Sequence, residues 1–425
     1  MLKKVVAFFG ATLFVVPQLA MSATPNTYKK VAVHKLNLNR KARNPIVPPV
    51  YPRTRKAFIW NKKDNRTLKF RPQGITLMKS RGQKYLIVSW YGKKSNMKRG
   101  AKISIVNITK LSRRGLRKGK VKYRHVLLLD KKYKPFYGKN KKGKYTNNHV
   151  GGLHYIDGKL HSPDTSGIHG KNLIHVFSMD SIQEVPSADR AKFFNYRYIL
   201  RAESSYQVSI KPSFLSYDWS LKKFVTGSFH FSNKPGRLQW YTKTNQDKQP
   251  RNVVTSPAPF FKQLQGAVSY KGMVYISASF GTSPSRVFFG PNRPGQKPNL
   301  KKFHVQIRPF GLEDMHMTRD GKSLWTLTEF SPKFIPLQQR GVFAINTKLL
   351  HIPGPTNNLP ALLTQKLIMG GLNALTKLGK NASVAKKNLL RTWKAFKKGT
   401  KVTWKVVKKG AKGTGKAIKK AFKKK

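Results

Sequence analysis

One strand–turn–strand unit occurs five times in this sequence, and a repeat of this kind constrains the fold more than any other feature of the chain. Each copy has a β-rich run, a tight turn and a second run that is rich in aromatic and β-branched residues. Since one such unit cannot bury both of its faces alone, we expect the copies to pack against each other. The copies are QGITLMKSRGQKYLIVSWYG (73–92), GGLHYIDGKLHSPDTSG (151–167), SFLSYDWSLKKFVTGSFH (213–230), QGAVSYKGMVYISASFG (265–281) and GLEDMHMTRDGKSLWTLTEF (311–330).

A third strand can be placed after every copy, and a fourth strand before most of them. The third strands are AKISIVNI (101–108), NLIHVFSM (172–179), GRLQWY (236–241), SRVFF (285–289) and RGVFAIN (340–346). The fourth strands are TLKF (67–70), YRHVLLLD (123–130), FNYRYILR (194–201) and KKFHVQI (301–307), whereas RNVVTS (251–256) is a poor candidate. Four strands per copy predict an all-β fold, a β-propeller of five blades, or of six if the N-terminal arm completes another. A β-sandwich is the competing fold, and it predicts no repeated unit.

Several of these motifs resemble a family of secreted bacterial proteins, common in actinobacteria, that have a propeller-like repeat. The resemblance is carried by HVGGLHYIDGKLHSPDTSG (149–167) with the following IHVFSM, and by GLEDMHMTRDGKSLWTLTEF with RGVFAI. It covers roughly residues 65–346 and implies the fold and secretion. It implies no catalytic residue, and the high lysine content of this chain departs from the family, so a shared ligand is not implied either.

The N-terminus is typical of a secretory signal peptide over residues 1–23. Two lysines precede an apolar run over residues 5–16, and the segment closes on the small residue Ala23. A transmembrane anchor is the alternative, but Pro17 ends the run well short of the roughly 20 apolar residues that a span requires. We expect a secreted or cell-surface protein, with the periplasm as the alternative location. The absence of cysteine excludes thiol catalysis and cysteine-based zinc sites.

Composition divides the chain into five segments. They are the signal peptide (1–23), a basic and proline-rich arm without a core of its own (24–56), the propeller (57–346), a linker with an amphipathic helix (347–380) and a lysine-rich tail (381–425). The helix is predicted from an apolar stripe of leucines between Leu363 and Leu378.

The tail of residues 381–425 contains no acidic residue and allows two interpretations. A cationic amphipathic helix would place apolar residues on an anionic membrane, namely Trp393, Phe396, Trp404, Ile418 and Phe422. A disordered arm would instead hold polyanions through its lysines, among them Lys394, Lys397, Lys398, Lys401, Lys405, Lys408, Lys409, Lys419 and Lys420.

The chain contains 86 Lys and Arg residues against 14 Asp and Glu residues, a formal net charge of +72. Self-repulsion of this size opposes the compact state unless a polyanion or dissolved ions neutralise it. The expected partners are extracellular DNA, lipopolysaccharide, an acidic polysaccharide or an anionic membrane surface. Lysine outnumbers arginine, which favours non-specific binding over base reading. With so few carboxylates to protonate, we also expect the fold to persist in acid.

The few acidic residues are candidates for turns, for structural pairing or for a ligand site. Asp157 and Asp320 each precede a glycine in a predicted hairpin turn. Five residues near strand ends could meet around a central channel and hold a divalent cation such as calcium, namely His149, Asp164, Glu313, Asp314 and Glu329. Roles as ion-pair partners or backbone caps are the favoured alternative, and acid–base catalysis is the least favoured. We interpret His154 and His161 as packed or exposed residues without a chemical role.

These features favour a polyanion-binding surface or matrix protein built on a propeller. A metal-dependent propeller enzyme, similar to lactonases or lyases, is the first alternative. A membrane-active cationic protein is the second. The sequence assigns no catalytic residue, and a non-enzymatic role is the favoured one.

Overall fold

The protein is all-β, as the sequence predicts, since strands make up most of the regular structure in the part of the chain that the computed structural model describes. The predicted signal peptide and the basic tail lie outside that part. Among the described residues, no helix is long and apolar enough to cross a membrane. The described residues are 28–43, 54–111, 121–136, 138–139, 145–146, 149–165, 172–229, 236–257, 263–279, 285–308, 311–331, 333 and 340–350.

The N-terminal part of the chain contributes two strands and one short helix before the first repeated unit. They are β1 (Arg40–Lys41), β2 (Thr54–Ile59) and α1 (Lys62–Arg66). Asn61 caps α1, because its side chain accepts a hydrogen bond from the backbone N–H of Asp64.

The first repeated unit forms four antiparallel strands in the order of the chain, followed by a small hairpin. The four strands are β3 (Phe70–Ser80), β4 (Gln83–Gly92), β5 (Lys102–Asn107) and β6 (Lys122–Leu129). The hairpin pairs β7 (Gly138–Lys139) with β8 (Tyr145–Thr146).

The next segment of the chain contributes strands to two sheets. Its strands are β9 (His154–Ile156), β10 (Lys159–Pro163), β11 (Leu173–Ser178), β12 (Gln183–Glu184), β13 (Tyr198–Arg201) and β14 (Ser204–Gln207). The second sheet has the order β14-β11-β10-β9. By contrast, β13 pairs in parallel with β6, β12 pairs with β13, and β1 pairs with β6, which extends the first sheet to seven strands.

Three more four-stranded antiparallel sheets follow. The third contains β15 (Phe214–Asp218), β16 (Lys223–Gly227), β17 (Arg237–Thr242) and β18 (Arg251–Pro257). The fourth contains β19 (Leu264–Tyr270), β20 (Met273–Ala278), β21 (Ser285–Pro291) and β22 (His304–Arg308). The last contains β23 (Leu312–Met317), β24 (Ser323–Thr328) and β25 (Gly341–Asn346), with β2 as its fourth strand.

The remaining regular structure consists of short helical turns. The second α-helix is α2 (Thr347–Leu350), and the described 3₁₀ turns are Val33–Lys35, Lys94–Arg99, Met179–Ser181, Ser187–Phe193 and Leu300–Lys302.

The sheets form a closed ring. Each innermost strand contacts the innermost strand of the next sheet, in the order β3, β9, β15, β19 and β23, and β23 contacts β3. A separate apolar cluster fills each interface between neighbouring sheets. This arrangement is a β-propeller, in which each sheet buries its faces against its two neighbours.

The N-terminal part of the chain contributes more to this fold than the sequence indicates. β2 begins at Thr54, inside the predicted arm of residues 24–56, and pairs with β25 along its whole length. Val31 and Val33 are buried in the cluster between the first and second sheets. The arm has no core of its own, but it completes two cores that belong to the propeller.

Outer strands differ most from the prediction. The weak candidate RNVVTS is a genuine strand, β18, whose side chains are mostly exposed, so it lacks the alternating apolar pattern by which a strand is recognised. The candidate FNYRYILR contains β13, which joins the edge of β6, while the outer strand of the second sheet is β14. The exposed β18 carries little apolar signal, whereas β13 is buried and apolar, so its sequence predicts a strand but not the sheet that it joins.

A buried arginine connects the N-terminal helix to the last sheet. Arg340 is 1% exposed. Its guanidinium group donates hydrogen bonds to backbone carbonyl oxygens that lie in α1, before β3 and after β24, at 2.7–3.2 Å. Its own backbone N–H binds the side-chain oxygen of Asn65 at 2.8 Å. One side chain thus satisfies carbonyl groups that α1 and its flanking loops would otherwise bury unpaired.

We expect Arg340→Lys to reduce the free energy of unfolding by about 3 kcal/mol, because an ammonium group cannot reach these divergent carbonyl groups and would remain buried with few partners. Denaturant unfolding of the two proteins measures the difference. Arg237→Lys, at an exposed position of β17, is the matched control and should change stability by less than about 0.5 kcal/mol. Equal stability of the two variants would contradict this role of Arg340.

Candidate functional site at the propeller axis

Asp314 lies on the axis and connects three sheets. It is fully buried, and one of its carboxyl oxygens accepts the backbone N–H of Ile75 in β3 at 3.0 Å. The backbone N–H groups of Leu153 and Met315 also bind this carboxyl group. Burial raises the pKa of Asp314 well above its usual value. These contacts give Asp314 a structural role, as the anchor of inner strands from different sheets.

Glycine is required where neighbouring strands approach this carboxyl group. A Cβ atom on Gly152 would lie 2.6 Å from Asp314 Oδ1, and one on Gly266 would lie 2.7 Å from Asp314 Cα. No real Cβ tolerates such contacts, so these two glycines allow the strands to close around the axis.

Next to Asp314, Glu313 and Glu329 form a carboxyl pair. Both are buried, and they hydrogen-bond to each other. The Tyr91 hydroxyl donates to Glu329 Oε1 at 2.6 Å, and Arg71 Nη1 donates to the same oxygen at 2.8 Å. Glu313 lies at the start of the inner strand β23, while Glu329 follows β24.

The two carboxyl groups differ in acidity. Burial raises the pKa of Glu313 well above its usual value, and the charge of Glu329 adds to this effect. Burial also opposes ionisation of Glu329, but the Arg71 guanidinium and the Tyr91 hydroxyl lower its pKa below the usual value. At neutral pH the pair therefore holds one proton, on Glu313, and one negative charge that Arg71 balances.

Gln73 and His149 form the accessible side of this site. The Gln73 amide nitrogen lies 2.7 Å from His149 Nδ1. The imidazole stacks on the Tyr91 ring with centroids 3.9 Å apart. Burial lowers the pKa of His149 to about 4, so the ring is neutral at pH 7. Gln73, His149 and Arg71 are each partly exposed.

The axis has a second cluster, three residues further along β23. The His154 ring lies nearly parallel to Tyr217 and His316, with centroids 5.5 and 5.3 Å away. Thr76 Oγ1 lies 3.3 Å from His316 Nδ1. Neither ring nitrogen of His154 has a hydrogen-bond partner among the described residues. Burial lowers the pKa of His154 well below its usual value and that of His316 to about 3.

The structure brings together three of the five residues predicted from the sequence as a cation site. His149, Glu313 and Glu329 meet at one end of the axis, whereas Asp314 is held by backbone N–H groups. The Asp164 carboxylate lies 3.5 Å from His175 Nε2 inside the second sheet. Among the described residues, no group of three or more acidic or histidine side chains has a metal-binding arrangement. The calcium site stays a prediction from the sequence.

Sequence reasoning missed Arg71, Gln73 and Tyr91. The sequence contains part of the signal, because Gln73, like Glu313, lies near the start of its copy of the repeated unit. Tyr91 gives no such signal, since it reaches the site from the second strand of its sheet. The predicted tail residues, from Trp393 to Phe422, lie outside the described residues.

Most acidic residues of the chain are either buried or paired with a lysine or arginine. Six are buried, namely Asp64, Asp164, Asp218, Glu313, Asp314 and Glu329. Five others are each paired with a neighbouring lysine or arginine, namely Glu184, Asp189, Glu203, Asp247 and Asp320. As predicted, Asp157 and Asp320 lie in hairpin turns before glycines with positive φ. The exterior therefore carries many more cations than its few acidic residues can neutralise.

Comparisons with known proteins show similarity of shape at low identity. No family model matches the chain, and no curated protein matches it. A GH43_1 enzyme from Xanthomonas citri is 9% identical, with 66% of this chain and 88% of that chain covered and a TM-score of 0.37. A gluconolactonase from Xanthomonas campestris is 10% identical, with 72% and 97% covered and a TM-score of 0.33. Similarity at this level carries no argument about activity.

The buried histidines argue against the expectation that the fold persists in acid. Burial lowers the pKa of His125 and His149 to about 4, and that of His161 and His316 to about 3. The unfolded chain, in which a histidine titrates near pH 6.5, then binds more protons than the folded protein. Stability is therefore lost as pH falls below about 6.5, and each such histidine contributes about 2 kcal/mol of this loss by pH 5, while the raised pKa values of Glu313 and Asp314 offset part of it.

We expect the free energy of unfolding to decrease strongly between pH 7 and pH 5, measured by denaturant unfolding at both values. His316→Phe should reduce this decrease by about 2 kcal/mol, since it keeps an aromatic ring on His154 and removes one titrating group. His304→Phe, at an exposed position, is the control and should leave the decrease as it is. A stability that does not change between the two pH values would contradict the burial of neutral histidines.

Proposed function

We propose that this protein binds anionic polymers and that the propeller is the rigid scaffold for a cationic surface. In this proposal the ring has five blades, the fifth completed by β2. The N-terminal arm and the basic tail add further contacts to the polymer.

The distribution of charge carries this proposal. A net charge of +72 destabilises a compact chain unless anions neutralise it. The fold places six of the 14 acidic residues in its interior, so they do not reduce the positive potential outside. A protein whose exterior is cationic on this scale attracts polyanions over distances set by the ionic strength.

We expect the polymer to lie outside the cytoplasm. The predicted signal peptide favours export, and the accessible polyanions there are extracellular DNA, lipopolysaccharide and acidic polysaccharides. Lysine side chains bind phosphate and carboxylate groups as point charges with little geometric demand. We therefore propose binding to the polymer backbone with little dependence on sequence.

We expect DNA of any sequence to bind tightly at low salt and to lose affinity by about 10³-fold or more between about 50 and 200 mM salt, because each neutralised phosphate releases counterions. Fluorescence anisotropy with two unrelated duplexes measures this dependence. An affinity that is independent of salt, or confined to one of the duplexes, would contradict the proposal.

A chain that ends at residue 380 separates the contribution of the tail. It should fold as the full chain does, since all described strands precede this point, and bind DNA with a smaller salt dependence. Leakage of anionic vesicles caused by the full chain and lost in the shorter one would instead favour the membrane-active alternative.

A second candidate function is acid–base catalysis at the axis. The observation that favours it is the Glu313–Glu329 pair, in which one carboxyl group keeps its proton at neutral pH and the other does not. Pairs of titratable groups with pKa values pushed apart are typical of enzyme active sites. Since these two carboxyl groups touch, they differ from the pairs about 5 Å or more apart that glycosidases use. A shared proton suits the activation of water or the protonation of a leaving group.

A metal-dependent reaction at this site requires a cation to displace existing contacts. Glu313, Glu329 and His149 would be its ligands. However, Arg71 and the proton on Glu313 already balance the charge of the pair, so cation binding would have to release that proton. We therefore propose that catalysis, if a substrate is turned over, uses the proton of the pair.

We expect Glu313→Gln to reduce any hydrolytic or eliminative activity by about 10²-fold or more, because an amide keeps the hydrogen bond to Glu329 but cannot transfer a proton. Acidic polysaccharides and lactones are the substrates to test, in assays with and without a chelator. Asp320→Asn, in an exposed turn, is the matched control and should keep full activity. Activity that survives in Glu313→Gln, or that the chelator abolishes, would contradict proton transfer by this pair.

A further inference from the structure

A cluster of aromatic and histidine rings lies near the end of β23, whereas Glu313 lies at the start of this strand. Four sheets contribute to the cluster, through Thr76 of β3, His154 of β9, Tyr217 of β15 and His316 of β23. The His154 ring lies nearly parallel to the rings of Tyr217 and His316, with centroids 5.5 and 5.3 Å away. His154 therefore lies where inner strands of several sheets meet at this end of the axis.

Trp219 and Arg319 form the solvent-facing part of this cluster. Trp219 follows β15, and its ring lies 4.9 Å from Tyr217 and 5.9 Å from His154 between centroids. Arg319 follows β23, and its guanidinium group lies over the Trp219 ring at 5.4 Å from the centroid. The sheets of β15 and β23 are not neighbours in the ring, so this contact crosses the axis. We call Tyr217, Trp219 and Arg319 the axial mouth.

Buried nitrogen atoms at the axial mouth lack hydrogen-bond partners. His154 is 1% exposed, and neither of its ring nitrogens has a partner among the described residues. The indole Nε1 of Trp219 is buried and has no partner in the same part of the chain. Since burial lowers the pKa of His154 well below its usual value, its neutral ring offers one N–H donor and one acceptor. Unpaired buried polar atoms cost free energy, so a molecule that supplies these hydrogen bonds binds favourably here.

The axial mouth also offers one positive charge. Arg319 is exposed and forms no ion pair with a described residue. Asp218, between the two aromatic residues of the mouth, does not neutralise it. The Asp218 carboxylate instead accepts hydrogen bonds from the backbone N–H of Ser220 at 2.8 Å and from the Ser269 hydroxyl at 2.6 Å. Since a guanidinium group presents two parallel N–H donors that match a carboxylate, Arg319 can bind one carboxylate from solution.

We propose that the axial mouth binds one uronate residue of an acidic polysaccharide. The carboxylate would pair with Arg319, and the apolar face of the sugar ring would cover the partly exposed rings of Tyr217 and Trp219. A sugar hydroxyl would reach His154, because a hydroxyl both donates and accepts and so satisfies either imidazole nitrogen. A single hydroxyl can contact a side chain that is 1% exposed, whereas a nucleobase edge would have to enter together with its rigid ring.

This inference rests on the proposed polymer binding and names acidic polysaccharide as the polymer that the propeller itself recognises. Lysines on the exterior would attract any polyanion through charge alone, whereas the axial mouth would hold one sugar residue in a fixed geometry. The two kinds of binding are therefore separable. A short oligosaccharide carries too few charges for strong non-specific attraction and reports on the mouth, while duplex DNA reports on the surface charge.

The first test uses Arg319→Gln in the full chain, which removes the charge and keeps a long polar side chain. Calorimetry at constant ionic strength measures the affinity for trigalacturonate, which should decrease about tenfold because one charge-assisted pair is lost. The affinity for duplex DNA should change less than about twofold. Arg286→Gln, an exposed arginine of β21, is the matched control and should change both affinities less than about twofold. Equal trigalacturonate affinities of the two variants would overturn the proposal.

The second test uses His154→Phe, which keeps an aromatic ring and removes both unpaired nitrogens. We expect about a tenfold loss of trigalacturonate affinity. The melting temperature should stay the same or rise, since a buried polar group without partners is replaced by an apolar ring of similar shape. An unchanged trigalacturonate affinity would overturn the contact between His154 and the sugar.

The same ligands separate this inference from polymer binding itself. If DNA and polygalacturonate both fail to bind the wild-type chain, polymer binding is refuted, while trigalacturonate binding that depends on Arg319 would still support the axial mouth. If both polymers bind and trigalacturonate does not, the mouth alone is refuted. A single-stranded trinucleotide that binds with the same dependence on Arg319 and His154 would overturn the choice of a sugar.

Discussion

The pairing of β2 with β25 closes the ring on which every other contact depends. Each sheet of the propeller covers its neighbours, so an open ring would expose two apolar faces at the break. β2 comes from before the first repeated unit, and β25 from the end of the last one. Arg340 strengthens the same junction, because it binds carbonyl groups of α1 and of the last sheet. Closure therefore relies on both ends of the folded region.

Several of the few acidic residues of this chain form contacts that hold the fold together. Asp314 binds backbone N–H groups of three inner strands, and Asp64 binds Arg40 and the Tyr123 hydroxyl. Glu313 and Glu329 share a proton at the axis. Many of the few acidic residues are therefore buried in the fold. The exterior has too little negative charge to balance its lysines. Structural contacts in the interior and the excess of positive charge at the surface are two results of one distribution.

The sequence predicts the repeated architecture well, because inner strands carry strong periodic patterns and hairpin turns carry Asp-Gly signals such as Asp157-Gly158. It predicts outer strands less well. β18 is mostly exposed and lacks an apolar pattern, while the apolar strand β13 pairs with the edge of β6 instead of completing the second sheet. At the candidate site, sequence position groups Glu313 with Glu329 and His149. It does not reveal Tyr91 or Arg71 as their partners, because such contacts depend on how neighbouring sheets face each other. The burial of His125 and His316 escapes prediction for the same reason.

The position of β2 also bears on how the chain reaches its native state. Its partner strand β25 lies at the opposite end of the propeller sequence. Ile59, for example, pairs with Gly341. Contacts this distant along the chain form slowly, because a large loop must close first. A chain delivered to its compartment from the N-terminus onward would hold β2 unpaired until almost all of the repeats have arrived. During that interval the strong mutual repulsion of its lysines would keep incomplete chains apart, so the net positive charge would protect the unfinished ring from aggregation.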